Sequence, residues 1–433
     1  MNTIRRRGSR AICGGRVRRL LAMIGCGGIV ADNTSHAQFK ESLAGESAAQ
    51  ALEKSIANEP YDLQYGPVRV SVSGRLGVYY TDNVFYSNQG ADDILIEPDV
   101  TLGALWQISQ LNTLRLSLGL SYDQYLKNTV LNTGTPFINP GSELAFNLFV
   151  GDFRIRLHDQ FSYEESLFFN SFVGNEPFYN FNNVGTFGRL DNKVGFDVTW
   201  SLDKAILTAG YDHENFSSTT SQFDYLTRSS EWFTASAGYM LGDHLQTGLE
   251  GKASLHVYDQ QTILNNNWRG RVGPFVEATF PEKITLRAGG GYDMASYGAA
   301  ASGNSDYDSY YGYARISQET RFFTHSLEAG RELQLGDNAN NMRTDYVRYS
   351  ITSSVIAHVD LGADFGVNVG EESGGSSGFD ETFTYYEAGV HAGWQFRKHW
   401  RAEAGYDFLV KDSDLPLRDF QRNEVTTDVV WNF

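Results

Sequence analysis

Arginines and carboxylates recur at alternate positions in many segments of this chain, and the chemistry such spacing offers is electrostatic. Arg115, Arg154, Arg156, Arg269, Arg271, Arg287 and Arg401, with Glu250 and Glu403, each lie on the polar side of a stretch whose other side is apolar. Charges in that pattern cannot be buried in a dry core without large cost. They must meet water or one another. Around a water-filled lumen they would set up a transverse field that selects polar or charged solutes. The alternative is a paired network that only lines the wall. These nine residues are the candidate pore lining.

Other chemistries find less support. His158, His213, His244, His256, His325, His358, His391 and His399 show no metal-ligand spacing. Both cysteines, Cys13 and Cys26, precede residue 38. Gly289-Gly290-Gly291 lies inside a strand pattern with no helix after it, so it is not a phosphate loop. No cofactor is implied and an enzyme is not expected. Ser, His and acid brought together from separate strands would still make an outer-membrane hydrolase, the third reading. Asp92, Asp93, Glu371, Glu372, Asp380 and Glu381 read as solvated loop charge, with divalent-cation binding near lipopolysaccharide as the alternative.

The elements that must hold these charges are long strands. Leu114, Leu116, Leu118, Leu120 and Tyr122 alternate with Arg115, Ser117, Gly119, Ser121 and Asp123. Ile284, Leu286 and Ala288 alternate with Thr285 and Arg287, and Trp400, Ala402, Ala404, Tyr406 and Phe408 with Arg401, Glu403 and Asp407. A strand of a soluble sandwich alternates over about five or six residues. These run for about nine to fourteen, the length that crosses a bilayer at a tilt. Very short turns at Gln110-Leu111, Gly151-Asp152, Asp203-Lys204, Gly242-Asp243, Pro281-Glu282, Thr320-Arg321, Asp360 and Arg397-Lys398 alternate with longer connections, the longest from about Ser166 to Phe187. The pattern predicts an all-β fold: a transmembrane antiparallel up-and-down β-barrel of about 18 strands, with 16 as the alternative, over residues 67–433. Late strands are expected to start near Tyr346, Tyr385 and Asn423. Asp159 and Pro274 break the pattern, each marking a bulge, a protomer contact or a displaced boundary.

Tyr followed by an acid closes several ascending strands, at Tyr122, Tyr163, Tyr211, Tyr292 and Tyr406. Each Tyr continues the apolar face, as an aromatic girdle at the outer lipid interface would. The last strand carries Val425, Thr427, Val429, Trp431 and Phe433 on one face. Trp431 and the terminal Phe433 resemble the carboxy-terminal assembly signature of bacterial outer-membrane barrels.

The amino terminus has the three-part build of a secretory signal peptide over residues 1–37: seven arginines, a short apolar run from Leu20 to Ala31, and Ser35-His36-Ala37 as a cleavage site. Residues 38–66 would then be a periplasmic segment, helical over Glu41–Ala57. The leader holds seven bases and one acid, so its removal takes the formal net charge from −17 to −23. So acidic a chain repels phosphates, which argues against nucleic acid as a partner. Mean hydropathy is −0.36, and no stretch approaches the roughly 18 apolar residues of a spanning helix.

Gly77-Val78-Tyr79-Tyr80-Thr81-Asp82-Asn83-Val84-Phe85, followed by Asp92-Asp93, Pro98 and an alternating strand to Leu105, resembles the opening of the β-barrel porin 2 family. Members tend to begin the barrel with an aromatic-x-Asp-Asn-Val/Ile-Phe segment. It is also similar to outer-membrane barrels encoded with exopolysaccharide genes. The resemblance covers about thirty residues. It implies an outer-membrane barrel and polysaccharide passage, and supplies no catalytic residues. The leading expectation is therefore a porin-like channel in the outer membrane of a Gram-negative-type bacterium, passing small polar solutes or an exported polysaccharide. Its partners would be outer-membrane lipid, lipopolysaccharide, the barrel-assembly machinery and polysaccharide export components. The rival is a non-conducting structural or assembly barrel of an exopolysaccharide export system.

Overall fold

The structure, a computed structural model, describes residues 53–56, 59–166, 180, 186–298, 306–375 and 379–433. The expected leader, most of the Glu41–Ala57 helix and most of the Ser166–Phe187 connection lie outside these residues. Glu53–Ile56 is helical.

In chain order the strands are β1 (Leu63–Tyr65), β2 (Val68–Thr81), β3 (Asp93–Gln107), β4 (Thr113–Ser121), β5 (Gln124–Tyr125), β6 (Phe137–Ile138), β7 (Glu143–Val150), β8 (Phe153–Ser166), β9 (Phe187–Ser201), β10 (Ala205–Ser218) and β11 (Arg228–Met240). The second half comprises β12 (Leu245–Tyr258), β13 (Asn267–Phe280), β14 (Ile284–Tyr297), β15 (Tyr307–Glu319), β16 (Phe323–Leu335), β17 (Asn341–Ile356), β18 (Val359–Ser373), β19 (Glu381–Arg397), β20 (Trp400–Ser413) and β21 (Phe420–Asn432). Apart from the two- and three-residue strands β1, β5 and β6, 18 antiparallel strands form a closed wall. Closure comes from β2 pairing with β21, Ser73 opposite Asn432 through Thr81 opposite Glu424. Closure leaves no unpaired edge, which a lipid environment requires of any sheet.

The convex face is the apolar one. Leu76, Val100, Leu249, Val272 and Val390 are exposed on it. Because the side-chain period is two, the alternate residues line the lumen. At the short-turn end Phe153 stacks on Trp200 with ring centroids 5.2 Å apart, and Trp431 lies 6.3 Å from Trp400 and 5.3 Å from Phe433. These rings form an aromatic belt at the turn end. Tyr163 and Tyr292 stand on the convex face nearer the loop end, Tyr211 and Tyr406 on it at mid-strand, and Tyr122 just past β4. The tyrosines do not close their strands as the pattern suggested. β10 and β20 each run seven residues further, to Ser218 and Ser413, because the hydrogen-bond ladder continues after the apolar alternation stops.

Three local expectations are corrected or explained. Asp360 is not a turn residue but the second residue of β18; the turn is Ala357-His358, with His358 at φ 64°. Asp159 sits in an unbroken strand on the convex face, where Asn192 on β9 donates to its Oδ1 at 2.6 Å. At Pro274 the β13–β14 pairing lapses between Val272–Tyr292 and Phe275–Gly289 and resumes in the same register. The backbones crowd there: a Cβ on Gly273 would stand 2.1 Å from the Gly290 carbonyl oxygen. Glycine is thus required beside the proline.

Candidate functional site

The lumen wall is built from the concave residues of the 18 strands. Arg115, Arg154, Arg156, Arg269, Arg271, Arg287, Arg401, Glu250 and Glu403 all stand in the concave phase of their strands. Most enter ion pairs. Arg287 reaches Glu250 at 3.3 Å and Glu277 at 3.5 Å. Arg401 pairs with Asp360 at 2.7 Å and with Glu403. Arg156 pairs with Glu143 and lies 3.5 Å from Asp197. Arg75 bridges Glu97 and Asp428, tying β2 to both neighbours. Arg115 grips Glu59 with two hydrogen bonds of 2.7 Å, and Arg69 donates to the Ile56 carbonyl at 2.5 Å. The segment before β1 is therefore docked on luminal arginines at the turn end.

Seven luminal bases make no ion pair among the described residues: Arg69, Arg154, Lys193, Lys252, Arg269, Arg271 and Arg348, on β2, β8, β9, β12, β13 and β17. Asp99, Asp364 and Asp407 likewise pair with no Lys or Arg; they stand on β3, β18 and β20. Luminal acids without a Lys or Arg partner stand among those bases too: Asp191 on β9, Asp293 on β14 and Glu332 on β16. The lumen wall thus combines a paired network with unpaired charges of both signs.

The loop end carries a site the sequence did not reveal. Asn180, from the connection between β8 and β9, lies against β18–β20 on the far side of the barrel. Its amide donates to Glu381 at 2.6 Å and Glu372 at 3.0 Å, and its Oδ1 accepts from Lys411 Nζ at 2.7 Å. Its backbone N–H donates to Asp337 at 2.7 Å, and Arg418 donates to its carbonyl at 2.8 Å. Lys411 and Glu381 form a fully buried ion pair of 2.8 Å. Glu372 accepts the backbone N–H groups of Asp337, Asn338 and Ala339, fastening the β16–β17 turn inward. Apolar luminal side chains pack beside it: Tyr86, Met342, Phe383, Tyr385, Leu409 and Phe420 form one buried cluster. Glu372 and Glu381 are thus not solvated loop charge. Nor is Asp93, whose carboxylate accepts the N–H groups of Ile94, Leu126, Lys127 and Asn128. Among the described residues no group of three His, Cys, Asp or Glu could hold a metal.

Burial pushes the Asp337 carboxyl well above the usual carboxylate range, and the adjacent Glu372 adds to the shift. A carboxyl raised by folding binds more protons folded than unfolded, so its packing weakens as pH climbs above the ordinary value of about 4. Amide exchange in Gly336–Asn340 is expected to rise more steeply from pH 5 to pH 8 than in the strands, after correction for intrinsic exchange. The Asp337→Asn variant should flatten that excess; an unchanged slope would remove Asp337 as its cause.

The Asp82-Asn83-Val84 motif lies at the closure seam. Asp82 accepts from the Asn423 backbone N–H and side-chain amide, and Asn83 donates to the Gln421 carbonyl at 2.8 Å. Val84 is buried with Tyr125 and Leu131.

No protein-family model and no curated protein matches the chain. Among solved structures, it is similar to OccK2 (OpdF) of Pseudomonas aeruginosa in complex with glucuronate: TM-score 0.50, 12% identity, over 84% of this chain and 96% of that one. OccK1 (OpdK) of the same organism gives a TM-score of 0.49 at 13% identity, over 84% and 99%. At such identity the likeness concerns fold alone: that of a closed outer-membrane β-barrel.

Proposed function

We propose that this protein is an outer-membrane channel through which small polar solutes diffuse passively, with residues 1–37 acting as its export signal. The observation that carries the reading is a closed 18-strand wall whose luminal side carries charges of both signs, among them Arg154, Lys193 and Arg348 and Asp99, Asp364 and Asp407, outside any Lys/Arg–carboxylate pair. Charges left unpaired on a lumen wall orient and select solutes only if water and solute reach them. A lumen that served structure alone would gain by pairing them. Lipid and lipopolysaccharide surround the wall, and the Trp431–Phe433 end serves the assembly machinery. Passage of an exported polysaccharide, with export components as partners, is the finer form of this reading. It rests on the likeness of Tyr79–Phe85 to the β-barrel porin 2 family.

The packed loop end supports a second reading, a barrel closed at rest. Planar-bilayer recording of the folded, inserted protein separates the two. The channel reading expects stepwise conductance, with the reversal potential of Arg154→Glu moved toward cation preference. Arg154 has no carboxylate partner to orphan, so the variant should fold. Absence of current from a correctly inserted barrel would reject the constitutive channel.

A further inference from the structure

We propose that the stretch carrying Ile56, Glu59 and Tyr61 is a displaceable strap at the turn-end mouth of the lumen, latched by Glu59 on Arg115 and by Ile56 on Arg69. The inference rests on the channel reading. It adds a means of opening and closing at the end opposite the packed loops.

One end of the strap is fixed in the wall. β21 stops short of the turn end of β2, where the Phe433 N–H donates to the Val72 carbonyl at 3.1 Å. β1 takes over that edge. Leu63, Gln64 and Tyr65 pair with Val70, Arg69 and Val68, and Asp62 accepts the Val72 N–H at 2.8 Å. The ladder covers what would otherwise be an open edge at the seam.

The other end lies on the lumen side and is held by side chains. Arg69, Leu105, Arg115 and Ala145 stand opposite one another in a single luminal row across β2, β3, β4 and β7. Arg69 donates to the Ile56 carbonyl at 2.5 Å, and its guanidinium lies 5.2 Å from the Tyr61 ring centroid. Arg115 holds both Glu59 carboxylate oxygens at 2.7 Å. The strap therefore crosses β3 between two arginine anchors. Leu105, between those anchors, is 5% exposed, and Ile56 is 5% exposed as well. Apolar burial of this kind on a wall that faces water favours the docked position.

The two ends differ in kind. A backbone ladder fixes β1, whereas one ion pair, one carbonyl acceptor and one apolar side chain hold the rest. The Arg115 side chain is 44% exposed, so its pair with Glu59 is weak and falls further with salt. A segment with few buried contacts opens locally at little cost. It can swing away about Pro60–Asp62 while the wall stays closed.

The test uses the full barrel, folded in detergent for proteolysis and inserted in planar bilayers for current. Trypsin cleavage after Lys54 requires Ser55 and Ile56 to leave the wall, and the fragment mass reports it. Glu59→Arg and Ile56→Asp lie outside the wall strands, so both barrels should fold. Cleavage is expected to be about tenfold faster in each, since it follows the population of the open form. Current steps should be larger or longer. The charge-swapped Glu59→Arg/Arg115→Glu protein should return toward native on both measures; a swap that stays released overturns this pair as the latch. Equal cleavage in the native and single-variant proteins overturns the strap. Faster cleavage with native current overturns the gate alone and leaves the channel standing. Current absent from every protein overturns the channel reading and the gate with it.

Discussion

Glu381→Gln is expected to unfasten the loop end of the barrel, lowering its local stability by about 3–5 kcal/mol, the usual consequence of removing one partner of a buried ion pair. The Glu381 side chain is fully buried. It accepts from Lys411 Nζ and Arg418 Nε, each at 2.8 Å, from the Ser413 hydroxyl at 2.6 Å and from the Asn180 amide at 2.6 Å. Glutamine keeps the shape and removes the charge. Lys411 and Arg418 then share a low-dielectric site with Glu372 and Asp337 as the remaining nearby carboxyl groups. The wall strands, held by continuous ladders, should remain closed. The measurement is paired: a urea midpoint for protection of the loop end against proteolysis, and single-channel conductance. The midpoint should fall and conductance should rise, because Asn180 loses the Glu381 carboxylate that helps hold it against the far wall. Asp412→Asn, exposed on the convex side of the same strand end, is the control and should change neither. A Glu381→Gln barrel with native protection would show that the cluster contributes nothing to closure.

How much of this was legible in the sequence depends on which periodicity carries the information. Alternation specifies a strand and its two faces, and the 18-strand wall follows from it. Boundaries at the loop end were displaced: strands expected near Tyr346 and Tyr385 begin at Asn341 and Glu381. In those first residues the luminal face carries the buried apolar side chains (Met342, Phe383) and the outer face is polar (Arg343, Asp345, Thr382, Thr384), so the apolar contrast that marks the wall is reversed. The strands β5 and β6, two residues each, are too short to show any period. Charge type and facing were readable for Arg287 and Glu250, but their pairing was not, since cross-strand register depends on the turns and the shear of the whole barrel. Asn180, Glu372 and Lys411 were invisible as a group. They are far apart in sequence, and only closure brings them together. Conversely, the Asp82-Asn83 motif was visible as a pattern without its reason, which is the pairing of the first wall strand with the last.

That reason predicts the effect of removing it. Asp82→Ala/Asn83→Ala should open the seam at its loop end. Asn83 is 2% exposed; its amide donates to the Gln421 and Ser87 carbonyls at 2.8 and 2.7 Å, and its Oδ1 accepts the Ser87 N–H at 3.0 Å. Asp82 holds Asn423 through a backbone bond of 2.7 Å and a side-chain bond of 2.5 Å. Each buried polar group left without its partner costs about 1–3 kcal/mol, and bonds to a charged group lie toward the upper end. The two substitutions together should cost about 3–5 kcal/mol on that scale. The loss falls at the one junction that local hairpins cannot form, since β2 and β21 meet only after the intervening chain is in place. Closure should therefore slow as well as weaken. Refolding into detergent micelles, followed by the heat-sensitive mobility of folded barrels on gels, should show a lower folded yield and a lower urea midpoint. Lys283→Ala, at an exposed salt bridge in a turn on the opposite end, should leave both unchanged. Equal yield and midpoint in the seam variant would mean that β2–β21 pairing is sufficient for closure, and that the motif serves the neighbouring loop instead.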